Sequence, residues 1–121
     1  MYTAKVIGKF SAAHRLREYQ GNCEQLHGHN YKVEIAVGAD VLDQLGLVMD
    51  FRDLKQGLNS VLDSLDHSYL NELEYFQEKN PSTENIANYI YSRIAESIPP
   101  PLGLIEVVVW EDDTSCVAYS E

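Results

Sequence analysis

Basic residues are scarce in this 121-residue chain: nine Lys and Arg stand against 19 Asp and Glu, for a formal net charge of −10 and a pI near 4.7. Proteins that grip duplex nucleic acid neutralise its phosphates with a basic face, so nucleic acid is excluded as the main partner, and an anionic membrane surface with it. Cysteine is scarce too. Cys23 and Cys116 alone do not make the disulfide framework of a small secreted domain, and a cytoplasmic setting is expected. Long apolar runs are missing. The Leu104–Trp110 stretch is short and broken by Glu106, far below the ~18 residues of a spanning helix. Lys5 and Lys9 interrupt the first ten residues where a secretory leader would be apolar. Repeats, low-complexity tracts and linkers are also absent, so residues 1–121 are expected to form a single domain.

What is present is a globular composition, 45% hydrophobic and 23% charged, with an uneven charge. Residues 1–32 hold five of the nine basic residues and only two acids, Glu18 and Glu24. That basic third either holds a small anion or is a set of solvated strand ends. Ala4, Val6, Gly8, Phe10, Ala12 and His14 alternate with Lys5, Lys9 and Ser11, which predicts a half-buried strand. His27, His29, Tyr31, Val33, Ile35 and Val37 repeat the pattern. From Asp50, a natural N-cap, the period changes: Phe51, Leu54, Leu58, Val61, Leu62 and Leu65 form a helical stripe. A second helix follows Pro81, capped by Ser82 or Thr83, with Ile86, Tyr89, Ile90, Ile94 and Ile98 on one side. Pro99-Pro100-Pro101 stops it. Leu104–Trp110 and Cys116–Tyr119 flank a polar turn and read as a hairpin, with Cys116 in the core. This ββααββ order predicts an α+β fold, a four-stranded antiparallel sheet with two helices on one face.

Alternation carries the chemistry as well. His27 and His29 are two apart on an extended segment and share the apolar face of Tyr31, Val33 and Ile35; His14 lies on the apolar face of its own strand. Three buried imidazoles without partners would cost several kcal/mol. A shared zinc ion resolves this, and three nitrogens with one open position is the arrangement of catalytic zinc. Cys23, four residues before His27, is a fourth ligand that would make the site structural, an inert apolar residue, or a thiol base beside the metal. Asp66-His67 is an acid/base pair or simply the polar end of the first helix. Glu111, after the apolar Val107–Trp110, is a loop acid or an acceptor for the paired N–H edge of a guanine- or pterin-like ring.

Phe10-Ser11-Ala12-Ala13-His14-Arg15, Cys23-x-x-x-His27-Gly28-His29, Leu65-Asp66-His67-Ser68-Tyr69-Leu70-Asn71, Pro81-Ser82-Thr83-Glu84-Asn85 and Trp110-Glu111 follow one another along almost the whole chain. In this order they resemble the 6-pyruvoyl-tetrahydropterin synthase superfamily, most closely its 6-carboxy-tetrahydropterin synthase branch in queuosine biosynthesis. The resemblance implies the tunnelling fold, a homohexamer of two stacked trimers, and active sites between subunits. It implies Zn²⁺ on His14, His27 and His29, Cys23 as the proton-abstracting base, and Asp66 with His67 of a neighbouring chain as the second acid/base group. Glu111 would anchor the pterin, with Ser82, Thr83 and Glu84 beside it. The implied reaction converts 7,8-dihydroneopterin triphosphate to 6-carboxy-5,6,7,8-tetrahydropterin, acetaldehyde and triphosphate. One departure bears on this. Glu24 sits three residues before His27, as in relatives that cleave the side chain to 6-hydroxymethyl-7,8-dihydropterin with Glu as base, so this chain carries the residues for either reaction or both. The alternative outside enzymology is a structural zinc module closed by Cys23.

Overall fold

The computed structural model describes residues 1–18 and 25–121, so Cys23 and Glu24 lie outside the described residues. Strands β1 (Tyr2–His14) and β2 (His27–Ala39) pair antiparallel over their full length. Helix α1 (Phe51–Asp63) follows, then β3 (Ser68–Tyr69), two single 3₁₀ turns, helix α2 (Thr83–Ala95), β4 (Gly103–Trp110) and β5 (Cys116–Tyr119). The sheet order is β3-β1-β2-β4-β5.

The expected four antiparallel strands are all there, but the sheet has five. The additional strand, β3, is two residues long and runs parallel to β1, pairing Ser68 with Ala12 and Tyr69 with Ala13. Two residues cannot display a period, so nothing in the local pattern announces it.

Alternation sets which face is covered. Ala4, Val6, Phe10, Ala12 and His14 of β1 are buried, as are Tyr31, Val33, Ile35 and Val37 of β2 and Val107 and Val109 of β4. Against this face lie Leu54, Leu58 and Leu62 of α1 and Ile86, Ile90 and Ile94 of α2. Both helices therefore cover one side of the sheet. At Gly8, α1 comes close to the sheet: a Cβ there would stand 2.8 Å from Leu62 Cδ1 and 3.0 Å from Leu58 Cδ2.

The helix starts are capped as their residue types predict. Asp50 accepts the Arg52 N–H at 2.8 Å, and Ser82, rather than Thr83, accepts the Asn85 N–H at 3.2 Å. Two expectations fail. Phe51 is 58% exposed, because the first residue of α1 projects beyond the stripe formed by Leu54, Leu58 and Leu62. Cys116 is exposed rather than in the core. The β4–β5 register pairs Val109 with Val117 and Trp110 with Cys116, so Cys116 takes Trp110's side of the sheet, opposite Val109. Among the described residues no helix is long and apolar enough to cross a membrane.

Candidate metal centre

The β1–β2 register assembles the site. His14 pairs directly with His27, and Ala12 with His29, so His29 stands diagonal to His14 on the same face. The Nε2 side of the cluster is compact: the ligand atoms of His14, His27 and His29 all lie within 4.8 Å of one another. Beneath them Tyr31 is fully buried and stacks on Phe10 with ring centroids 4.6 Å apart.

Hydrogen bonds fix the tautomers. His14 Nδ1–H donates to the Pro81 carbonyl at 2.7 Å, and His27 Nδ1–H donates to the Gln25 carbonyl at 2.7 Å. A carbonyl oxygen can only accept, so both rings carry their proton on Nδ1 and present an Nε2 lone pair inward. Those two nitrogens are 2.9 Å apart. Lone pairs facing each other at that distance repel unless a cation lies between them. His29 Nε2 is buried and has no hydrogen-bond partner, a defect of about 1–3 kcal/mol in a site without a ligand. The three nitrogens thus fit a metal ion: two are oriented by carbonyls, as metal-bound imidazoles are, and the third is unsatisfied. Burial holds the His14 basicity below its ordinary value, with the Pro81 contact opposing and the neighbouring imidazoles assisting. The ring is therefore kept in the neutral, metal-binding form.

Glu111 is next to this cluster, its Oε1 3.4 Å from His29 Nε2 and 3.7 Å from His14 Nε2. Lys32 pairs with Trp110 across β2 and β4, and the face of Val107 and Val109 continues to Glu111. The alternation of β4 carried one residue past its end would have placed the carboxylate here. Burial of Tyr31, with a smaller contribution from the charge of Glu111, raises the phenol's pKa, so Tyr31 stays a neutral hydroxyl.

Asp66 and His67 form a pair of their own, Asp66 Oδ2 lying 2.9 Å from His67 Nδ1. The Asp66 carboxylate also accepts the Ser11 N–H at 2.9 Å, and the His67 N–H donates to the Ser11 carbonyl at 2.6 Å. These contacts hold His67 with a left-handed backbone, φ 55°. The His67 side chain is 84% exposed, and among the described residues no hydrogen bond joins it to the three histidines. His67 and His29 do border the same groove of about 480 Å³, with Ser11, Asn30, Ser68 and Tyr69. Of the residues expected beside a substrate ring, Ser82 spends its hydroxyl on the α2 cap, Thr83 is buried and Glu84 is exposed in the first turn.

Some contributors were not legible in the sequence. Asn71 and Asn80 act as backbone clamps. Asn71 accepts the Arg15 N–H at 2.9 Å and donates to the Arg15 carbonyl at 3.0 Å; Asn80 does the same for Arg17, at 2.8 and 3.1 Å. The chain just after His14, which leaves β1 and turns at Arg17 and Glu18, is thus held in place by side chains bonded to its backbone.

Residues 3–121 match the family described as 6-pyruvoyl tetrahydropterin synthase. The chain belongs to that family. A 6-carboxy-5,6,7,8-tetrahydropterin synthase of Synechocystis is 36% identical over 115 residues, spanning 91% of this chain and 86% of the relative. A dihydroneopterin monophosphate aldolase of Pyrococcus furiosus is 37% identical over 110 residues, spanning 89% and 90%. The structure of Caenorhabditis elegans 6-pyruvoyl tetrahydropterin synthase superposes with a TM-score of 0.90 at 28% identity, over 99% of this chain and 95% of that one. The chain therefore shares the overall fold of that structure.

Proposed function

We propose that this domain, spanning 1–121, is a zinc-dependent carbon–oxygen lyase that acts as a 6-carboxy-tetrahydropterin synthase on 7,8-dihydroneopterin triphosphate. The observation that carries the reading is the pair of imidazole lone pairs 2.9 Å apart beside an unsatisfied third ring nitrogen. Such a cluster suits a metal cation, and three nitrogens leave that cation a position for substrate. The Synechocystis relative of the same name supports the choice of reaction.

His14, His27 and His29 would hold the zinc ion, which when bound would supply Lewis-acid polarisation of the substrate's side-chain oxygens and so acidify the adjoining C–H bonds. The chain's own residues do the rest. Cys23, four residues before His27, takes the proton as thiolate. His67, oriented by Asp66, holds or moves a second proton at an imidazole nitrogen as triphosphate leaves. The Asp66–His67 pair, exposed and bonded to Ser11 rather than to the triad, would serve the site of a neighbouring chain in a homohexamer with active sites between subunits, as the family resemblance implies. Glu111, Ser82, Thr83 and Glu84 border the substrate, and basic residues of the first third receive the triphosphate. The setting is cytoplasmic.

A second reading is favoured by Glu24 and by the Pyrococcus relative's name: side-chain cleavage to 6-hydroxymethyl-7,8-dihydropterin with Glu24 as base. One assay separates the two. Purified protein is incubated with 7,8-dihydroneopterin triphosphate and the pterin product is identified by mass spectrometry. Cys23→Ala is expected to abolish the carboxypterin while zinc stays bound. Loss of zinc together with the thiol would instead indicate a structural four-ligand site. Unchanged hydroxymethylpterin output from Glu24→Ala would exclude that residue as the base of the second reaction.

A further inference from the structure

Glu111 presents a chemical contradiction. A carboxylate only accepts hydrogen bonds, and so does the inward lone pair of His14, yet Glu111 Oε1 stands 3.7 Å from His14 Nε2 and 3.4 Å from His29 Nε2. Among the described residues its carboxylate accepts no hydrogen bond, although its own backbone N–H is fixed to the Ser115 carbonyl at 3.1 Å. The side chain is therefore aimed at the nitrogens while nothing else holds it there. Donor atoms bound about 2.0–2.1 Å from a tetrahedral zinc ion stand about 3.3 Å apart, near the His29 separation; the carboxylate lies just outside the group of three whose ligand atoms are all within 4.8 Å of one another, so it turns inward to reach the ion. Glu111 also keeps 31% of its side chain exposed, so it has solvent to turn into.

We propose that Glu111 is an exchangeable fourth ligand, closing the metal's open position in the resting protein and giving it up to the oxygens of the substrate. This rests on the metal-dependent reading above. In the exchange one metal–carboxylate bond is lost and one metal–oxygen bond to substrate is gained, and no electron changes hands. The freed carboxylate is then an acceptor at the mouth of the site, available to N–H or O–H groups of the bound molecule. The open position is thus guarded against adventitious ligands until substrate arrives.

The test uses the full-length protein loaded with Co²⁺, whose visible absorption reports ligand identity and number. Glu111→Ala is expected to change the resting spectrum and to weaken Co²⁺ binding by roughly 10–100-fold, the range associated with loss of groups supporting a metal site. Adding 7,8-dihydroneopterin is expected to change the wild-type spectrum and to bring wild type and variant to the same final one. Acetate, filling the vacated place, is expected to restore the resting wild-type spectrum to Glu111→Ala. Glu111→Gln, which keeps shape without charge, repeats the comparison should the alanine variant fold poorly. Resting spectra and Co²⁺ affinities identical in wild type and both variants overturn the exchange, even if the wild-type enzyme makes its pterin product. A wild-type chain that shows the exchange but forms no product from the triphosphate leaves this proposal standing and removes the assigned reaction.

Discussion

Removing the metal is expected to cost the protein a defined, stoichiometric part of its thermal stability. The geometry says why. Without a cation the His14 and His27 lone pairs meet at 2.9 Å and His29 Nε2 is buried without a partner. A ligand that binds only the folded state stabilises it by about 2.7 kcal/mol at a hundredfold excess over its Kd. For a chain of this length 1 kcal/mol moves Tm by about 4 °C, so loading is expected to raise Tm by about 10 °C. The assay is calorimetry on chelator-treated protein titrated with Zn²⁺ at fixed protein concentration, with the increase saturating at one ion per chain. His29→Ala sharpens the test. The variant is expected to lose most of the increment, since two nitrogens hold zinc poorly. Its metal-free form should melt no lower than stripped wild type, because the substitution also removes an unsatisfied buried nitrogen. The reasoning is refuted if stripped and loaded wild type melt together, or if His29→Ala keeps the full increment.

Three further outcomes follow from the same contacts. Gly8→Ala pushes a Cβ to within 2.8 Å of Leu62 and is expected to destabilise the fold by about 1–3 kcal/mol in urea denaturation; adding Leu62→Ala should then cost less than the sum of the two single changes. Asn71→Ala strips two hydrogen bonds from the Arg15 backbone at a largely buried position, for an expected loss of about 1–3 kcal/mol by the same measurement. Asp66 has its carboxyl held below the ordinary value, first by the Ser11 N–H and then by His67. On acidification the unfolded chain therefore takes up this proton before the native one does. The stability it contributes is present above the ordinary carboxyl value and is lost as pH falls through the lower native value, so Asp66→Asn should flatten that part of the acid-unfolding curve.

Much of this architecture could be read from the sequence because it rests on period. The buried face of β1 from Ala4 to His14 and that of β2 from Tyr31 to Val37 are as the alternation predicts, and with them comes the convergence of three histidines. The stripes of α1 and α2 follow for the same reason. What escaped depends on register or on backbone atoms. Cys116 is outside because Trp110 is its cross-strand neighbour, a fact of pairing rather than of composition. β3 exists because two residues meet the edge of β1. The groups that orient the imidazoles are the carbonyls of Pro81 and Gln25, which no side-chain pattern can reveal. Glu111 belongs between these cases: the alternation of β4 reaches it, but its approach to the histidines depends on the β2–β4 pairing.

The Pro81 carbonyl, finally, ties the electronic state of one imidazole to the seating of a helix. Pro81 immediately precedes Ser82, the cap of α2, and the same stretch is anchored by the Asn85 amide donating to the Asn80 carbonyl at 2.8 Å. A helix that shifts on its apolar bed carries that oxygen with it and releases the proton of His14 to either ring nitrogen. The Nε2–H tautomer so permitted would point a hydrogen, not a lone pair, at a bound ion. Substitutions deep under α2, at Ile86 or Ile90, thereby become perturbations of metal chemistry transmitted through a single proline carbonyl.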